Sequence, residues 1–407
     1  MMILDDLKAL NKQQRAAFTA SLLGWTLDAF DFFLLTFVIK DIAGEFHAKV
    51  SDVTEALFLT LALRPVGALV FGMLADRFGR KPVLQIDVLL YSAIAFASAF
   101  SPNLITLLVL RALFGFAMGG EWGVGASLTL ESIPAKSRGL ISGILQEGYA
   151  FGFILGALAN LALPHVGWRG LLMFSALPAL LVLYIRRNVE ESPAWVEGAV
   201  ERREAGVLKP MLKNWKMLVY AVVLMTAFNF FSHGTQDLFP TFLKVQHKFD
   251  ANMVTLISVI ANFGAIIGGI TFGAWSEKIG RGKAIMFAAM VAVPALPFLA
   301  FSQGAIALAF GAFLVQISVQ GAWGVVPAHL NELSPSTLRG FFPGFAYQLG
   351  NLLSSRNGPL QAKFAEANGN NYGLALAVVG GAMALLLAGM SAFGPERKGR
   401  SFTESEA

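Results

Sequence analysis

The segment 229–241 reads NFFSHGTQDLFPT. Asn229, His233, Gln236, Asp237 and Thr241 fall at i, i+4, i+7, i+8 and i+12, one polar stripe along an otherwise apolar helix. Within a membrane such a stripe must line water, a ligand or another polar helix. An imidazole titrates near neutrality, so His233 beside Asp237 can relay a proton, while the neighbouring amides can hold an oxyanion. A lone buried histidine is more often structural, and it is the five groups in register that point to a site.

Further ionisable residues interrupt apolar runs, where a charge is costly and is a functional candidate by default. Asp28 and Asp31 share one face at i,i+3. Asp28 lies about 15 Å into its span at 1.5 Å per residue, near the midplane. Arg64 stands twelve residues before Asp76, about 18 Å from that loop and too deep to snorkel. Its guanidinium suits bidentate capture of a carboxylate, or else an internal ion pair with Asp28 or Asp31. Arg111 opens the run Arg-x-x-x-Gly-x-x-x-Gly-Gly-Glu, in which Gly115 and Gly119 make a thin face for close helix packing. Glu121 and Glu147 are further acids that either carry a proton or pair with a cation. Gln348, Asn351 and Ser355 are spaced i, i+3, i+7, so two amides and a hydroxyl share a face suited to a hydroxyl or keto oxygen, or to interhelical bonding. Arg356 lies about 25 Å beyond Arg339 along its helix, which suggests a gate or steering role at the outer side.

The elements that hold these residues follow from composition. The 407 residues are 56% hydrophobic with a mean hydropathy of +0.62, and only 14% are charged, against about 25% in an average soluble domain. Spans are expected at 18–40, 53–74, 83–101, 104–130, 139–162, 170–187, 214–242, 252–275, 284–301, 304–330, 340–362 and 373–394. Each is close to the roughly 20 residues that cross a bilayer. Placing the N-terminus inside puts most of the 31 Lys and Arg in cytoplasmic segments. The same clustering argues against nucleic acid as the reason for the net charge of +5. No removable signal peptide is expected at the N-terminus. The chain has no cysteine, and its histidines at 47, 165, 233, 247 and 329 lack zinc-binding spacing, so neither metal nor cofactor is expected.

A shift of 201 residues superposes Gly67 on Gly268, Gly72 on Gly273, Gly79-Arg80 on Gly280-Arg281, Trp122-Gly123 on Trp323-Gly324, Glu131 on Glu332, and Arg138-Gly139 on Arg339-Gly340. One constant offset implies two copies of a six-helix unit: 1–187 and 214–407, joined by a cytoplasmic linker 188–213 that carries Glu201, Arg202, Arg203 and Glu204. Parallel repeats with a site at their interface describe the major facilitator architecture, an all-α membrane fold of twelve helices in two bundles with both termini cytoplasmic. The shift also pairs Asp28 with Asn229, Asp31 with Ser232, Arg64 with Ala265 and Arg111 with Ala312. The first unit therefore supplies most midplane charge and the second most neutral polar contacts.

The motif GMLADRFGRKP at 72–82 resembles the major facilitator signature loop, and GAWSEKIGRGK is its second copy. Gly72, Asp76, Arg77, Gly79 and Arg80, with Glu277, Lys278 and Arg281, are expected to clasp a neighbouring helix end in one gating state, or to form a static loop. The copy keeps its acid-base pair as Glu277-Lys278. Arg111 is similar to an arginine that many proton-driven facilitators carry in this span. The span-seven pattern Asn229, Ser232, His233, Thr235, Gln236, Asp237, Thr241 resembles the signature of Jen-type lactate/pyruvate:proton symporters, within the sialate:proton symporter group. Weaker echoes stand at Leu63-Arg64-Pro65 and at Tyr347-Gln348-Leu349-Gly350-Asn351. The resemblance implies proton-coupled import of a small monocarboxylate such as lactate or pyruvate, with Gln348 and Asn351 among the substrate contacts.

On this reading Arg64, Asn229, His233, Gln236, Gln348 and Asn351 bind substrate. Asp28, Asp31, Arg111, Glu121, Glu147, His233 and Asp237 serve proton coupling. The partners are an organic acid, protons and the lipid bilayer of a plasma membrane, the inner membrane of a bacterium, and a monomer is expected. Rivals are the same machine with another organic anion (sialate, a dicarboxylate, an aromatic acid) or a sugar. A drug/proton antiporter would carry a Gly-Pro pair in span five, which reads GYAFGFILG at 148–156. An enzyme would need a nucleophile-base pair or metal cluster, and a sensor a soluble domain that neither the linker nor the tail has length to hold.

Overall fold

The computed structural model of the protein describes residues 7–162, 166–198 and 208–403. His165 and the linker residues Glu201, Arg202, Arg203 and Glu204 lie outside them. The described residues are helical throughout and contain no strand. The first repeat runs α1 (Lys12–Glu45), α2 (Val50–Phe78), α3 (Arg80–Ser98), α4 (Leu104–Met118), α5 (Glu121–Ser132), α6 (Arg138–Gln146), α7 (Gly148–Ala162), α8 (Gly167–Met173) and α9 (Pro178–Asn188). The second runs α10 (Trp215–Gln236), α11 (Ala251–Ile279), α12 (Arg281–Phe301), α13 (Ala305–Trp323), α14 (Val326–Leu333), α15 (Phe342–Ser354), α16 (Asn357–Ala367) and α17 (Tyr372–Phe393).

Ten helical stretches among the described residues are long and apolar enough to cross a membrane, by length and composition. The two further spans expected at 139–162 and 340–362 are each broken into two shorter helices. The first breaks at Glu147, between α6 and α7, where Gly148 lies against the Trp25 ring. The second breaks at Ser355-Arg356, between α15 and α16. The expected stripe on 229–241 is interrupted as well. Helix α10 ends at Gln236, and Pro240, which has no N–H to donate, sits in a separate turn at Phe239–Thr241. Thr241 therefore does not continue the face of Asn229 and His233.

Helices α2 and α3 are joined by the single residue Gly79, and α11 and α12 by Gly280. Their φ values, +111° and +100°, belong to backbone that a side chain would strain. These one-residue turns mark one end of the molecule, the turn end. Directly inside it lie two matching buried ion pairs. Arg80 donates to Glu131 through Nη2 at 2.9 Å and Nε at 3.2 Å, and Arg281 donates to Glu332 through Nη2 and Nε, both at 2.9 Å. Both are bidentate charge-assisted pairs, the geometry for which guanidinium is suited. Helix α2 also meets α4 so closely that a Cβ on Gly67 would collide with the Phe116 carbonyl. Gly268 faces Ile317, the residue at the same offset, in the same way.

The segment 396–403 crosses the turn end. Lys398 Nζ donates to the Glu277 carbonyl at 3.0 Å, Gly399 N–H to Glu332 at 3.2 Å, and Arg400 to the Ser334 carbonyl at 3.0 Å. The ring of Phe402 lies 3.6 Å from the Arg138 guanidinium and 4.0 Å from that of Arg339, one arginine from each repeat. Such cation–π contacts are worth about 0.5–2 kcal/mol each.

Removing Arg80 strips buried Glu131 of its bidentate cation, and removing Arg281 does the same to Glu332. Arg80→Ala and Arg281→Ala should each cost about 3–5 kcal/mol, read as a lowered thermal unfolding midpoint in detergent micelles. Loss of less than about 1 kcal/mol in both would show that the pairs do not hold the turn end together.

Candidate functional site

At the turn end each repeat grips the other. Asp76, at the end of α2, accepts hydrogen bonds from Gly340 N–H at 2.8 Å and Phe341 N–H at 3.0 Å. It also pairs with Arg80 at 3.1 Å. Glu277, its mate in the second repeat, accepts the N–H of Gly139, the mate of Gly340. Each carboxylate so caps the start of the opposite repeat's broken helix, where backbone donors lack intrahelical partners. Small residues allow the approach: a Cβ on Gly72 would strike Phe341, and one on Gly139 the Gly273 carbonyl. Ser127 is fully buried here and donates to the Arg339 carbonyl at 2.5 Å.

Two expectations for the motif change. Glu277 pairs with Arg281 at 3.0 Å rather than with Lys278, which is exposed. An i,i+4 spacing brings two side chains together on a helix, whereas adjacent residues diverge. Arg77 is likewise exposed and rests over its neighbour Phe78, 5.2 Å from the ring centroid, outside the clasp. The expected linker is in part an ordered layer on the turn end. Trp195 Nε1 donates to the Asp76 carbonyl at 2.9 Å, and Glu191 accepts the N–H groups of Arg80 and Lys81 at 2.9 and 3.2 Å. Burial pushes the Glu191 carboxyl above its ordinary range, against the pull of those donors.

Deeper in the first repeat the structure gathers Asp28 and Asp31 on α1, Arg64 on α2, Arg111 on α4 and Glu121 on α5. Arg64 Nη2 is 3.8 Å from Asp28, with the two side chains 4% and 0% exposed. Arg64 also lies over Phe32 and against the Met118 sulfur, while its Nε has no protein partner. All three guanidinium nitrogens of Arg111 lack a hydrogen bond, and its charge rests on Phe114, 3.9 Å from the centroid. Glu121 packs against Gly24 so tightly that a Cβ there would touch its carboxylate. Glu147 stands apart from this group, against Gly269 of the second repeat.

The second repeat contributes a wetter set. His233 Nδ1 lies 3.1 Å from Asp237, and Nε2 lies 3.2 Å from Asn351 Oδ1. The His233 and Asp237 side chains are 34% and 42% exposed. Asn229, one turn nearer the turn end than His233, is buried and donates to the Met225 carbonyl at 2.8 Å. Gln236 bonds Gln316 at 3.0 Å, and Gln348 is buried with neither amide atom partnered. Arg356 is exposed just past the end of α15. Between the sets stands an aromatic wall: Trp25 stacks on Tyr149 at 5.6 Å, and Tyr347 meets Trp122 at 4.8 Å and Trp323 at 5.4 Å.

Three residues belong to this arrangement that the sequence reading passes over. Asp87 and Tyr91 on α3 are fully buried beside the Asp28 group, and Gln316 on α13 completes the Gln236 contact. The signal for Asp87 is the same as for Asp28, an acid inside an apolar span. Its nearness to the basic loop at 77–81 gives it the look of an interfacial residue.

The major facilitator superfamily model matches residues 22–359, most of the chain. The chain belongs to the Major Facilitator Superfamily. This facilitator is 30% identical over 393 residues to a carboxylic acid transporter protein homolog of Saccharomyces cerevisiae, an alignment covering 89% of the chain but only 63% of the yeast protein. It is 28% identical to the sialic acid transporter NanX of Escherichia coli, covering 84% and 85% of the two chains. It is 27% identical to a probable 4-methylmuconolactone transporter of Cupriavidus pinatubonensis, covering 84% and 82%. Among solved structures, the proton:xylose symporter XylE superposes with a TM-score of 0.77 at 19% identity over 96% of this chain and 98% of that one, a likeness of fold. The facilitator fold, its apolar helices and its relatives are those of multi-pass membrane transporters.

Because the facilitator has no cysteine, a single introduced one reports the turn end cleanly. A cysteine at Ser127 should react slowly with a maleimide in the parent. Asp76→Ala, which frees the Gly340 and Phe341 N–H groups, should raise that rate several-fold. An unchanged rate would mean that the carboxylate does not hold the repeats together.

Proposed function

We propose that this facilitator is a proton-coupled symporter that imports small monocarboxylates such as lactate or pyruvate by alternating access. Twelve membrane crossings form two six-helix bundles, 1–187 and 214–407, joined by 188–213. The turn end and both termini face the cytoplasm. The protein works as a monomer in the plasma membrane, the inner membrane of a bacterium.

The observation that carries this reading is Arg64, a buried cation whose one ion-pair partner among the described residues, Asp28, stands at 3.8 Å and leaves Nε free. A substrate carboxylate that docks on this guanidinium displaces Asp28. The displaced acid, buried without its cation, then binds a proton, because an isolated charge there is far more costly than a neutral carboxyl. Substrate and proton therefore load together, and the neutral assembly can reorient. Asn229, Gln236, Gln348 and Asn351 supply hydrogen bonds to the keto or hydroxyl oxygen. His233 and Asp237 attract and relay proton and anion at the wetter end. Asp31, Arg111, Glu121 and Glu147 tune the charge. Asp76, Arg80, Glu277 and Arg281 close the cytoplasmic side, around the turns at Gly79 and Gly280, and Arg356 steers anions at the far side. The name of the yeast relative, a carboxylic acid transporter homolog, supports a carboxylate cargo.

The aromatic wall favours a second reading with the same machinery, a larger or unsaturated organic anion, in keeping with the sialic acid and 4-methylmuconolactone named for two relatives.

Proteoliposomes with an imposed inward proton gradient test the proposal. Labelled lactate should accumulate, and Arg64→Ala should reduce uptake at least tenfold, with Asn229→Ala raising KM. Undiminished uptake in both variants would sink the site assignment. A panel of unlabelled acids in competition separates the two cargoes: stronger block by muconate or sialate than by pyruvate would select the second.

A further inference from the structure

Four carboxyl groups, Asp28, Asp31, Asp87 and Glu121, share one buried region of the first repeat with two cations among the described residues, Arg64 and Arg111. Arg64 faces Asp28, and Arg111 acts on Asp31. Asp87 and Glu121 have no cation at ion-pair distance among the described residues, and neither makes a hydrogen bond to a protein group. Tyr91, also fully buried, has a hydroxyl without a protein partner that lies within electrostatic reach of all four acids. Arg186 and Arg187 on α9, which also packs on α3, are exposed and do not face this region.

Position along the helices orders these groups. Asp87 is seven residues from the Gly79 turn side of α3, at Arg80, so about 10 Å from the turn end. Arg64 is about 18 Å from the same end, counted back from Asp76 along α2. Tyr91 lies one turn above Asp87 on the same face, about 6 Å further in. Helical side chains lean toward their own N-terminus, which here brings the Tyr91 hydroxyl back toward Asp87. The order from the Arg64 level to the turn end is therefore Asp28, Tyr91, Asp87.

We propose that Tyr91 and Asp87 are the proton-release route of this facilitator, a path inside the first repeat that is separate from the substrate's path between the repeats. The inference rests on the symport reading above. With the turn end closed, Asp87 holds a proton because nothing there compensates its charge. When the Asp76 and Glu277 clasps part and water reaches α3, Asp87 gives that proton to water and becomes a carboxylate. The O–H bond of protonated Asp28 then breaks as its proton passes, through the admitted water that bridges these groups, to the Tyr91 oxygen. The original Tyr91 proton bonds to Asp87 in the same step. Asp28, now ionised, re-forms its pair with Arg64 and expels the substrate carboxylate. One proton leaves per passage, and Asp87 ends as it began.

The test compares two rates in proteoliposomes: accumulation driven by a proton gradient, and counterflow of labelled for unlabelled lactate at equal pH, which needs no net proton release. Tyr91→Phe removes a single oxygen, and Asp87→Asn is isosteric with the neutral acid, so both should elute from a sizing column as the parent does. Each should lower the ratio of accumulation to counterflow at least tenfold, and the accumulation that remains should lose its dependence on internal pH. A ratio equal to the parent's in both variants overturns the route while leaving symport in place. A parent protein that shows counterflow but no gradient-driven accumulation overturns the symport reading, and the route with it.

Discussion

The closed end of this molecule depends on carboxylates spent on backbone rather than on side chains. Asp76 and Glu277 each reach across to the first N–H groups of a helix in the other repeat. Those donors would otherwise be buried with no partner, at a cost of about 1–3 kcal/mol each. Arg80 and Arg281 lie beside these acids and are themselves held by Glu131 and Glu332. Remove any member and a charge or an N–H is stranded in a low-dielectric interior. Such an assembly is made or broken as a whole, which is what a two-state gate requires.

The two repeats share this frame and differ in what they hold. The first buries four carboxyl groups and two guanidinium groups in a region with few hydrogen bonds; the second carries amides and the His233–Asp237 pair nearer to water. A densely charged, dry cluster cannot change its net charge without taking up or losing a proton. The more exposed set can rearrange its hydrogen bonds at little cost. In the proposed symport, this division lets one repeat answer to proton concentration and the other to the shape of the cargo.

Much of this was open to reading in the chain. The repeat at an offset of 201 residues foretells the paired turns at Gly79 and Gly280 and the paired arginines behind them, because both copies keep the glycine that the backbone needs. The breaks in the helices were harder to see. At Glu147 and at Ser355-Arg356 hydropathy runs on while the hydrogen-bond ladder stops, and hydropathy alone does not sense the ladder. Pro240 did signal the end of the Asn229 face, yet the polar periodicity continued through it. Glu277 takes Arg281 and not the adjacent Lys278 as its partner, because a helix brings together side chains four residues apart. Asp87 shows the remaining gap: its meaning comes from the missing cation around it, which is a property of packing.

The ring of Phe402 is held between Arg138 of one repeat and Arg339 of the other. It can be gripped from both sides only while the two arginines keep their closed spacing. If the turn end opens as in the cycle proposed above, docking of 396–403 and its closure are linked equilibria, and linkage is reciprocal. Any molecule that engaged this segment in its undocked form would favour the open gate by the same free energy with which closure favours docking. In the proposed transport cycle this segment is in that sense a thermodynamic handle, reached without entering the membrane.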